Sequence, residues 1–195
     1  MRVRYTRDQG ASLTPLWVLL AVNLLFYIAY VISKDLVVAR LGFQPASFAS
    51  EPWTIITCMF VHAGLLHFFV NMLGLFFLGS YLLRLVGDTR FLVVYFLGGI
   101  MGNLLFLLLA NPYATAVGAS GAVYAVCGAL AIMRPRLKII IFPIPIPMDL
   151  WIAVVIFMAL SFAPRIAWQA HLGGLVLGLI AGYFFRRRER RIFRR

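Results

Sequence analysis

Long apolar runs separated by short charged segments dominate this chain. Five runs that lack Asp, Glu, Lys and Arg cover residues 9–33, 52–83, 91–133, 150–164 and 166–185. A helix needs about 20 mostly apolar residues to cross a bilayer. The third run is long enough for two helices, and Asn111-Pro112-Tyr113 within it predicts the turn that joins them. The pattern therefore predicts six membrane helices, at approximately 14–33, 65–86, 91–110, 118–133, 147–161 and 167–185.

Composition agrees with an integral membrane protein. The 195 residues are 63% hydrophobic and 12% charged, and the mean hydropathy is +0.95. These values exclude an ordinary soluble domain. We therefore predict an all-α, polytopic membrane protein with a single domain over residues 1–195, which ends in a basic cytoplasmic tail at 186–195.

The net charge of +12 is compatible with nucleic-acid binding, but the placement of the charges favours a membrane. If the N-terminus is cytoplasmic, fifteen of the eighteen Lys and Arg residues fall in the inner segments. This bias follows the positive-inside rule, so both termini are expected in the cytoplasm of a multi-pass protein of the cell membrane. The partner it predicts is the lipid bilayer and not nucleic acid, with the Arg-rich tail at an anionic leaflet.

Residues 34–64 join the first two helices and are too hydrophobic for a free loop. Pro45 and Pro52 divide the segment into short pieces that carry several large apolar side chains. We predict amphipathic pieces that are partly embedded in the outer leaflet.

Prolines also shape the segment before the fifth helix. Pro143, Pro145 and Pro147 cannot lie together in one regular helix, so an extended inner segment is expected. The fifth helix should begin near Pro147, with Asp149 in its first turn, where the helix dipole favours a negative charge.

Four polar residues interrupt the apolar helices at one depth. His67 and Asn71 lie one turn apart in the second helix, Ser120 begins the fourth, and His171 lies in the outer half of the sixth. Taken singly, each has a structural explanation, since a membrane serine often bonds its own helix and a histidine or amide often joins two helices. Their common depth on the outer side favours one site, because the topology came from the basic residues alone.

Small residues predict how the fourth and sixth helices meet. They recur on one face of each helix, at Gly121, Ala125 and Gly128 and at Gly174 and Gly178. Small residues let two helix backbones approach closely in a membrane. The match of the two faces is expected to bring Ser120 opposite His171.

A serine opposite a histidine supports acyl transfer. Ser120 would be the nucleophile and His171 the base that activates it. The last two helices have no Asp or Glu that is placed to orient the imidazole. We therefore predict a dyad in which Tyr124 orients the ring by stacking. The oxyanion of the reaction would be stabilised by the Ser120 backbone N–H at a helix N-terminus and by Asn71 and His67.

Metal and cofactor chemistry are not predicted. The three His have no carboxylate within helical reach, so the sequence predicts no zinc site. The two cysteines, Cys58 and Cys127, lie in apolar surroundings and are interpreted as buried fillers, with a disulfide between them left open.

Three motifs in order resemble the rhomboid family of intramembrane serine proteases. They are Gly118-Ala119-Ser120-Gly121, a match to GxSG with Tyr124 and Gly128 in register, then His67-Phe68-Phe69-Val70-Asn71, a match to HxxxN, and Ala170-His171-Leu172-Gly173-Gly174 followed by Gly178, a match to AHxxGxxxG. The resemblance covers essentially the whole chain in its minimal six-helix form. It implies Ser120 as nucleophile, His171 as base, and an oxyanion site from His67, Asn71 and the Ser120 backbone. Its implied substrates are single-span membrane proteins, cleaved near the outer end of a helix that unwinds locally.

One position departs from the family pattern. The family often has an aromatic residue followed by Arg in the first outer loop, where this chain has Trp53-Thr54, so the bracing of that loop is in question.

A non-catalytic member of the same fold that binds membrane clients is the alternative function, although such proteins usually lack the Ser or the His. A small transporter or channel is disfavoured because no inverted repeat and no charge in mid-membrane are apparent. The sequence leaves the oligomeric state open.

Overall fold

Helices make up most of the chain. The computed structural model describes residues 12–141, 144–164 and 166–192. The helices are α1 (Thr14–Ile32), α2 (Lys34–Leu41), α3 (Thr54–Thr57), α4 (Leu65–Gly74), α5 (Ser80–Val86), α6 (Asp88–Leu109), α7 (Ser120–Met133), α8 (Leu150–Leu160) and α9 (Trp168–Ile192). A π-helical stretch, Leu75–Gly79, joins α4 and α5 into one continuous helix. Strands β1 (Lys138–Ile141) and β2 (Ile144–Asp149) form a hairpin between α7 and α8.

Four helices in the described part of the chain are long and apolar enough to cross a membrane. They are Thr14–Ile32, Leu65–Val86, Asp88–Leu109 and Trp168–Glu189. Helices α7 and α8 are also apolar but have only 14 and 11 residues, fewer than the 17 or so that a complete span usually needs. The chain is therefore a multi-pass membrane protein, and six spanning helices remain a prediction.

Helix α7 lies at the centre of the helix packing, against α6 and α9. Its buried residues include Gly121, Ala125 and Gly128. A methyl group added at Gly174 would overlap the carbonyl oxygen of Gly121, and one added at Gly178 would overlap that of Ala125. The predicted contact between the two small-residue faces is thus present, and these backbones are too close to admit any larger side chain.

Helix α6 approaches the same pair of helices through glycines. A methyl group at Gly98 would overlap Cβ of Ala125, and one at Gly102 would overlap the carbonyl oxygen of Ala170. By contrast, large apolar side chains such as Leu66 and Leu108 are about 75% exposed. Small residues inside and large apolar residues outside are the distribution expected of a bundle whose outer surface meets lipid.

The hairpin corrects the all-α prediction. Strands β1 and β2 are antiparallel, with Lys138 opposite Asp149 and Ile139 opposite Met148. The prolines exclude a helix here, as predicted, but Ile144, Met148 and Asp149 pair with β1. Asp149 ends β2 and precedes the first turn of α8, which begins at Leu150 and not at Pro147. Its carboxylate Oδ1 lies 2.9 Å from Nζ of Lys138, so this residue closes the hairpin.

Two other helix boundaries differ from the prediction. Helix α6 begins at Asp88, three residues before the predicted start, directly after Gly87, whose φ is +82°. An acidic residue such as Asp88 is favourable in the first turn of a helix, so the helix can begin within the charged segment. Helix α9 continues past residue 185 to Ile192 because Arg and Glu are good helix formers.

The extension of α9 packs against the inner end of α7. Nη1 and Nη2 of Arg134 donate to the two carboxylate oxygens of Glu189 at 2.9 and 2.6 Å. Nη1 of Arg186 donates to the carbonyl oxygen of Ile132 at 3.1 Å. Residues 186–192 of the predicted tail are therefore helical, and residues 193–195 lie outside the described part.

The segment between α1 and α4 contains the predicted short pieces. These are α2, a 3-10 turn at Pro45–Ser47, α3 and a 3-10 turn at Cys58–Phe60. Trp53 Nε1 donates to the carbonyl oxygen of Arg40 at 3.3 Å, and Asn103 Nδ2 donates to that of Ile55 at 2.8 Å. Thr54, at the place of the family's Arg, donates through Oγ1 to the carbonyl oxygen of Glu51. Backbone carbonyls thus brace this segment, and its embedding in a leaflet stays a prediction.

Candidate active site

Ser120 and His171 are in direct hydrogen-bond contact. Ser120 is the first residue of α7 and His171 lies in the first turn of α9. The distance between Ser120 Oγ and His171 Nε2 is 2.7 Å, within the range for proton transfer between a hydroxyl and an imidazole. Helices α7 and α9 come into close contact at Gly121, which directly follows Ser120, and Gly174, one turn after His171, so the two side chains lie opposite each other.

The other imidazole nitrogen of His171 contacts a residue that the sequence reasoning missed. Nδ1 lies 2.7 Å from Oγ of Ser161, which directly follows α8. The same Oγ lies 3.0 Å from Oη of Tyr124 and 2.8 Å from the carbonyl oxygen of Phe157. The sequence gives little indication of this contact, because Ser161 and His171 are ten residues apart and lie on either side of a turn.

Tyr124 lies against the imidazole as the sequence predicts. The two rings are stacked, with centroids 4.6 Å apart and an angle of 22° between their planes. Tyr124 is four residues after Ser120 in α7, so it lies on the same face of that helix. The stack restricts the plane of the His171 ring.

The turn before Ser120 is held by two backbone donors. Gly118 N–H donates to the carbonyl oxygen of Cys58 at 2.8 Å, and Ala119 N–H donates to Nε2 of His62 at 3.3 Å. Gly118 has a φ of +120°, a conformation that favours glycine. These bonds explain how the chain is turned so that Ser120 begins a helix.

His62 is a buried neutral acceptor. Its Nδ1 lies 3.2 Å from the carbonyl oxygen of Phe60 and therefore carries the proton of the neutral ring. Burial, and secondarily the neighbouring His67, lowers the pKa of His62 from 6.5 to about 3. His62 thus accepts a hydrogen bond from Ala119, the residue next to Ser120.

His67 lies beside the turn, and Asn71 lies one turn further along α4. A methyl group at Gly118 would be 2.7 Å from both Cε1 and Nε2 of His67. Asn71 is buried, and its Nδ2 donates to the carbonyl oxygen of His67 at 2.8 Å. The hydrogen bonds of the described residues join neither side chain to Ser120 Oγ; His67 lies beside Gly118, and Asn71 is bonded to the His67 backbone.

The N-terminus of α7 presents free backbone N–H donors next to the Ser120 side chain. The first bond to this end of the helix runs from Val123 N–H to the carbonyl oxygen of Ala119 at 3.0 Å. The N–H groups of Ser120, Gly121 and Ala122 precede it and have no partner within the helix. Such groups can stabilise a negative oxygen that develops next to Ser120.

A small cavity adjoins Ser120 between α6, α7 and the start of α9. Its lining includes Asn103, Gly118, Ser120 and Ala170. Asn103 Nδ2 also lies 3.0 Å from Sγ of Cys58. Burial raises the pKa of the Cys58 thiol to about 12, so this cysteine is not a competing nucleophile.

Among the residues that the structure describes, none form a candidate metal site. Within the described ranges, the His, Cys, Asp and Glu side chains do not come together in any group of three. Cys58 and Cys127 are both free thiols, so the disulfide that the sequence left open is not formed.

The helices and the site together define a multi-pass membrane protein with a serine–histidine pair at the end of a buried helix. The family model of the Rhomboid domain matches residues 49–188, which include every residue of the site described above. This chain therefore belongs to the rhomboid family.

Individual relatives agree with this assignment. Rhomboid-like protease 3 of Toxoplasma gondii is 30% identical over 178 residues, which cover 84% of this chain and 65% of the relative. RHOMBOID-like protein 1 of Arabidopsis thaliana is 34% identical over 136 residues, 69% of this chain and 35% of the relative. Rhomboid protease GluP of Bacillus subtilis is 32% identical over 132 residues, 67% of this chain and 25% of the relative. The chain thus spans between a quarter and two thirds of the length of these relatives.

Proposed function

We propose that this protein is an intramembrane serine endopeptidase in which Ser120 is the nucleophile and His171 the general base. The observation that carries the proposal is the 2.7 Å contact between Ser120 Oγ and His171 Nε2 at the N-terminus of a buried helix. Family membership supports it, since two of the relatives above are named as proteases.

Peptide cleavage would follow the acyl-transfer sequence. His171 Nε2 accepts the Ser120 proton while Oγ attacks the carbonyl carbon of the substrate. The protonated imidazole then gives this proton to the leaving amine, which breaks the peptide bond and leaves an acyl group on Ser120. Water attacks the acyl group with His171 again as base, which restores the free hydroxyl and releases the new carboxylate.

The tetrahedral oxyanion would be stabilised by donors on two sides. The Ser120 N–H at the start of α7 is one, because it has no intrahelical partner. The Asn71 amide is another: it has two N–H groups, of which one donates to the carbonyl oxygen of His67, and the second remains for substrate. The His67 imidazole, in contact with Gly118, is the third.

The proposed substrates are single-span membrane proteins, cut near the outer end of their helix. In this proposal a single domain with six spanning helices lies in the cell membrane, with both termini in the cytoplasm. The concentration of Lys and Arg in the inner segments supports this orientation. Ser120 and His171 then lie towards the outer face, where water and a locally unwound substrate helix can both reach them.

Cleavage of a reporter in liposomes tests this function. The reporter carries one transmembrane segment with helix-destabilising residues near its outer end, and product is followed by gel and mass spectrometry. Wild type should cleave it, while Ser120→Ala and His171→Ala should not. Ser80→Ala is the matched control, because Ser80 Oγ donates to the carbonyl oxygen of Phe77 in its own helix, and its activity should equal that of wild type.

Two results would contradict the proposal. One is full cleavage by Ser120→Ala. The other is a folded wild type that cross-links to membrane proteins but cleaves none of them, which would favour the non-catalytic client-binding function.

A further inference from the structure

We propose that Ser161 is a positioning residue of this site, whose hydroxyl holds the His171 imidazole in the tautomer that can activate Ser120. This role rests on the proposed function, because the tautomer of His171 matters for catalysis only if Ser120 is the nucleophile. The sequence-based prediction of a dyad did not include it.

The Ser161 hydroxyl lies at the meeting point of three polar groups. It is only 3% exposed. Its Oγ lies 2.7 Å from Nδ1 of His171, 2.8 Å from the carbonyl oxygen of Phe157 and 3.0 Å from Oη of Tyr124. Because Ser161 is buried, water cannot replace any of these partners without a rearrangement of the site.

Donors and acceptors can be matched in only one way around this hydroxyl. The Phe157 carbonyl oxygen can only accept, so the single Ser161 O–H donates to it. The two lone pairs of Oγ then accept the Tyr124 O–H and the Nδ1–H of His171. If Ser161 donated to His171 instead, Oγ and the Phe157 oxygen would face each other at 2.8 Å without a proton between them.

This arrangement leaves Nε2 of His171 without a proton. A neutral imidazole carries one N–H, and the other nitrogen accepts. With the proton on Nδ1, the free lone pair of Nε2 points to Ser120 Oγ at 2.7 Å. The opposite tautomer would place an N–H against the serine hydroxyl and could not accept its proton.

Ser161 and Tyr124 restrict the imidazole in complementary ways. The Tyr124 ring, stacked at 4.6 Å, limits tilting of the His171 plane, and the Ser161 bond limits rotation within that plane. Tyr124 Oη also orients the Ser161 hydroxyl. A neutral hydroxyl therefore does the orienting that a carboxylate does in charged triads, without the desolvation that a buried carboxylate would require.

The test combines kinetics with nitrogen NMR of the imidazoles. The chain has three His, so a protein labelled with ¹⁵N-histidine gives few signals, and His171→Ala assigns those of His171. Wild type should show protonated Nδ1 and unprotonated Nε2. In Ser161→Ala a substantial fraction should shift to the Nε2–H tautomer, and kcat should fall by on the order of 10- to 100-fold with KM within about twofold of wild type.

Three further variants separate positioning from a general structural role. Ser161→Thr keeps the hydroxyl and should restore both the tautomer and most of kcat. Tyr124→Phe keeps the stacked ring but removes one donor to Ser161, and should give a smaller loss of kcat. Ser80→Ala removes a serine that also bonds its own helix, and should change neither measurement. If Ser161→Ala does not fold, Ser161→Cys replaces it, because its weaker acceptor should give an intermediate tautomer shift.

The outcomes distinguish this role from the proposed function. If wild type cleaves the reporter and Ser161→Ala keeps both its kcat and the Nδ1–H tautomer, the role of Ser161 is refuted and the protease remains. A fall in kcat with an unchanged tautomer that Ser161→Thr does not restore also refutes it. If wild type does not cleave at all, the protease fails, while the His171 spectra still report whether Ser161 determines the tautomer.

Discussion

The contact between α7 and α9 makes a specific prediction for Gly174→Ala. The added methyl group would overlap the carbonyl oxygen of Gly121, so α9 must move away from α7 at this point. Gly182 provides a matched control on the same face of α9, since a methyl group there would lie 2.5 Å from the carbonyl oxygen of Ala129. An ordinary contact of this kind is at least 3.4 Å, so the required movement is about 0.9 Å at Gly182 and larger at Gly174.

The two glycines differ in their distance from His171. At a rise of about 1.5 Å per residue, Gly174 lies about 4.5 Å along α9 from His171 and Gly182 about 16 Å. A displacement of about 1 Å in a reacting group can lower a rate by about 100-fold. We therefore expect Gly174→Ala to lower kcat by at least about 100-fold and Gly182→Ala by only a few-fold, although both should lower stability by about 1–3 kcal/mol.

The assay measures kcat on the reporter in liposomes together with the unfolding midpoint in detergent. The comparison is informative only for variants that remain folded at the assay temperature, which the unfolding midpoint establishes. Equal losses of kcat in the two variants would refute the reasoning, because they would mean that the α7–α9 contact does not set the Ser120–His171 distance locally. Wild-type activity in Gly174→Ala would refute it as well.

Asn71, His62 and Glu189 give predictions for catalysis, for the pH dependence of stability and for an ion pair. Asn71→Ala should lower kcat by about 10²–10³-fold with little change in KM, as expected for one oxyanion donor among several; an unchanged kcat would remove Asn71 from the site. Since His62 has a native pKa of about 3 and about 6.5 when unfolded, only the unfolded chain gains a proton as the pH falls from 6.5 towards 3. His62 alone should therefore lower the stability of wild type by up to about 1.4 kcal/mol per pH unit in this window, so His62→Gln should lose less stability; an equal loss in the two proteins between pH 7 and pH 5, measured by unfolding in detergent, would contradict this. Glu189→Gln should lower stability by less than about 1 kcal/mol, because its pair with Arg134 is about one-third exposed, and should leave cleavage unchanged; a large loss of activity would show coupling to the site.

The pairing of Ser120 with His171 could be predicted because helical periodicity determines which residues share a face. Gly121 follows Ser120 directly, and Gly174 follows His171 by one turn, so two small-residue faces suffice to align the helices. Periodicity also places Tyr124 one turn from Ser120. These are local relations within single helices, which is why the sequence contained them.

The role of Ser161 could not be predicted in this way. Its contact with His171 depends on the path of the turn between α8 and α9, and no periodic pattern describes that path. A carboxylate would stand out as an orienting group, because its charge is conspicuous in an apolar segment. A buried hydroxyl among apolar residues is indistinguishable in sequence from a serine that only bonds its own helix.

The boundaries that were wrong have a related cause. Strand pairing in the hairpin depends on contacts between Lys138 and Asp149, eleven residues apart, and proline content alone indicated only an extended backbone. The first arginines predict an end of α9 near residue 185, because charge marks the membrane edge. Charge does not end a helix, however, and the ion pair with Arg134 stabilises the extension.

Labelling of Ser120 by a fluorophosphonate probe tests the proposed activity most directly. The probe reacts with a serine only when its hydroxyl is activated, and peptide mass spectrometry locates the adduct. We expect wild type to carry a single adduct on Ser120, His171→Ala to react far more slowly, and Ser120→Ala to remain unlabelled. An unlabelled wild type, or equal labelling of Ser120 in His171→Ala, would contradict the assignment of Ser120 and His171 as nucleophile and base.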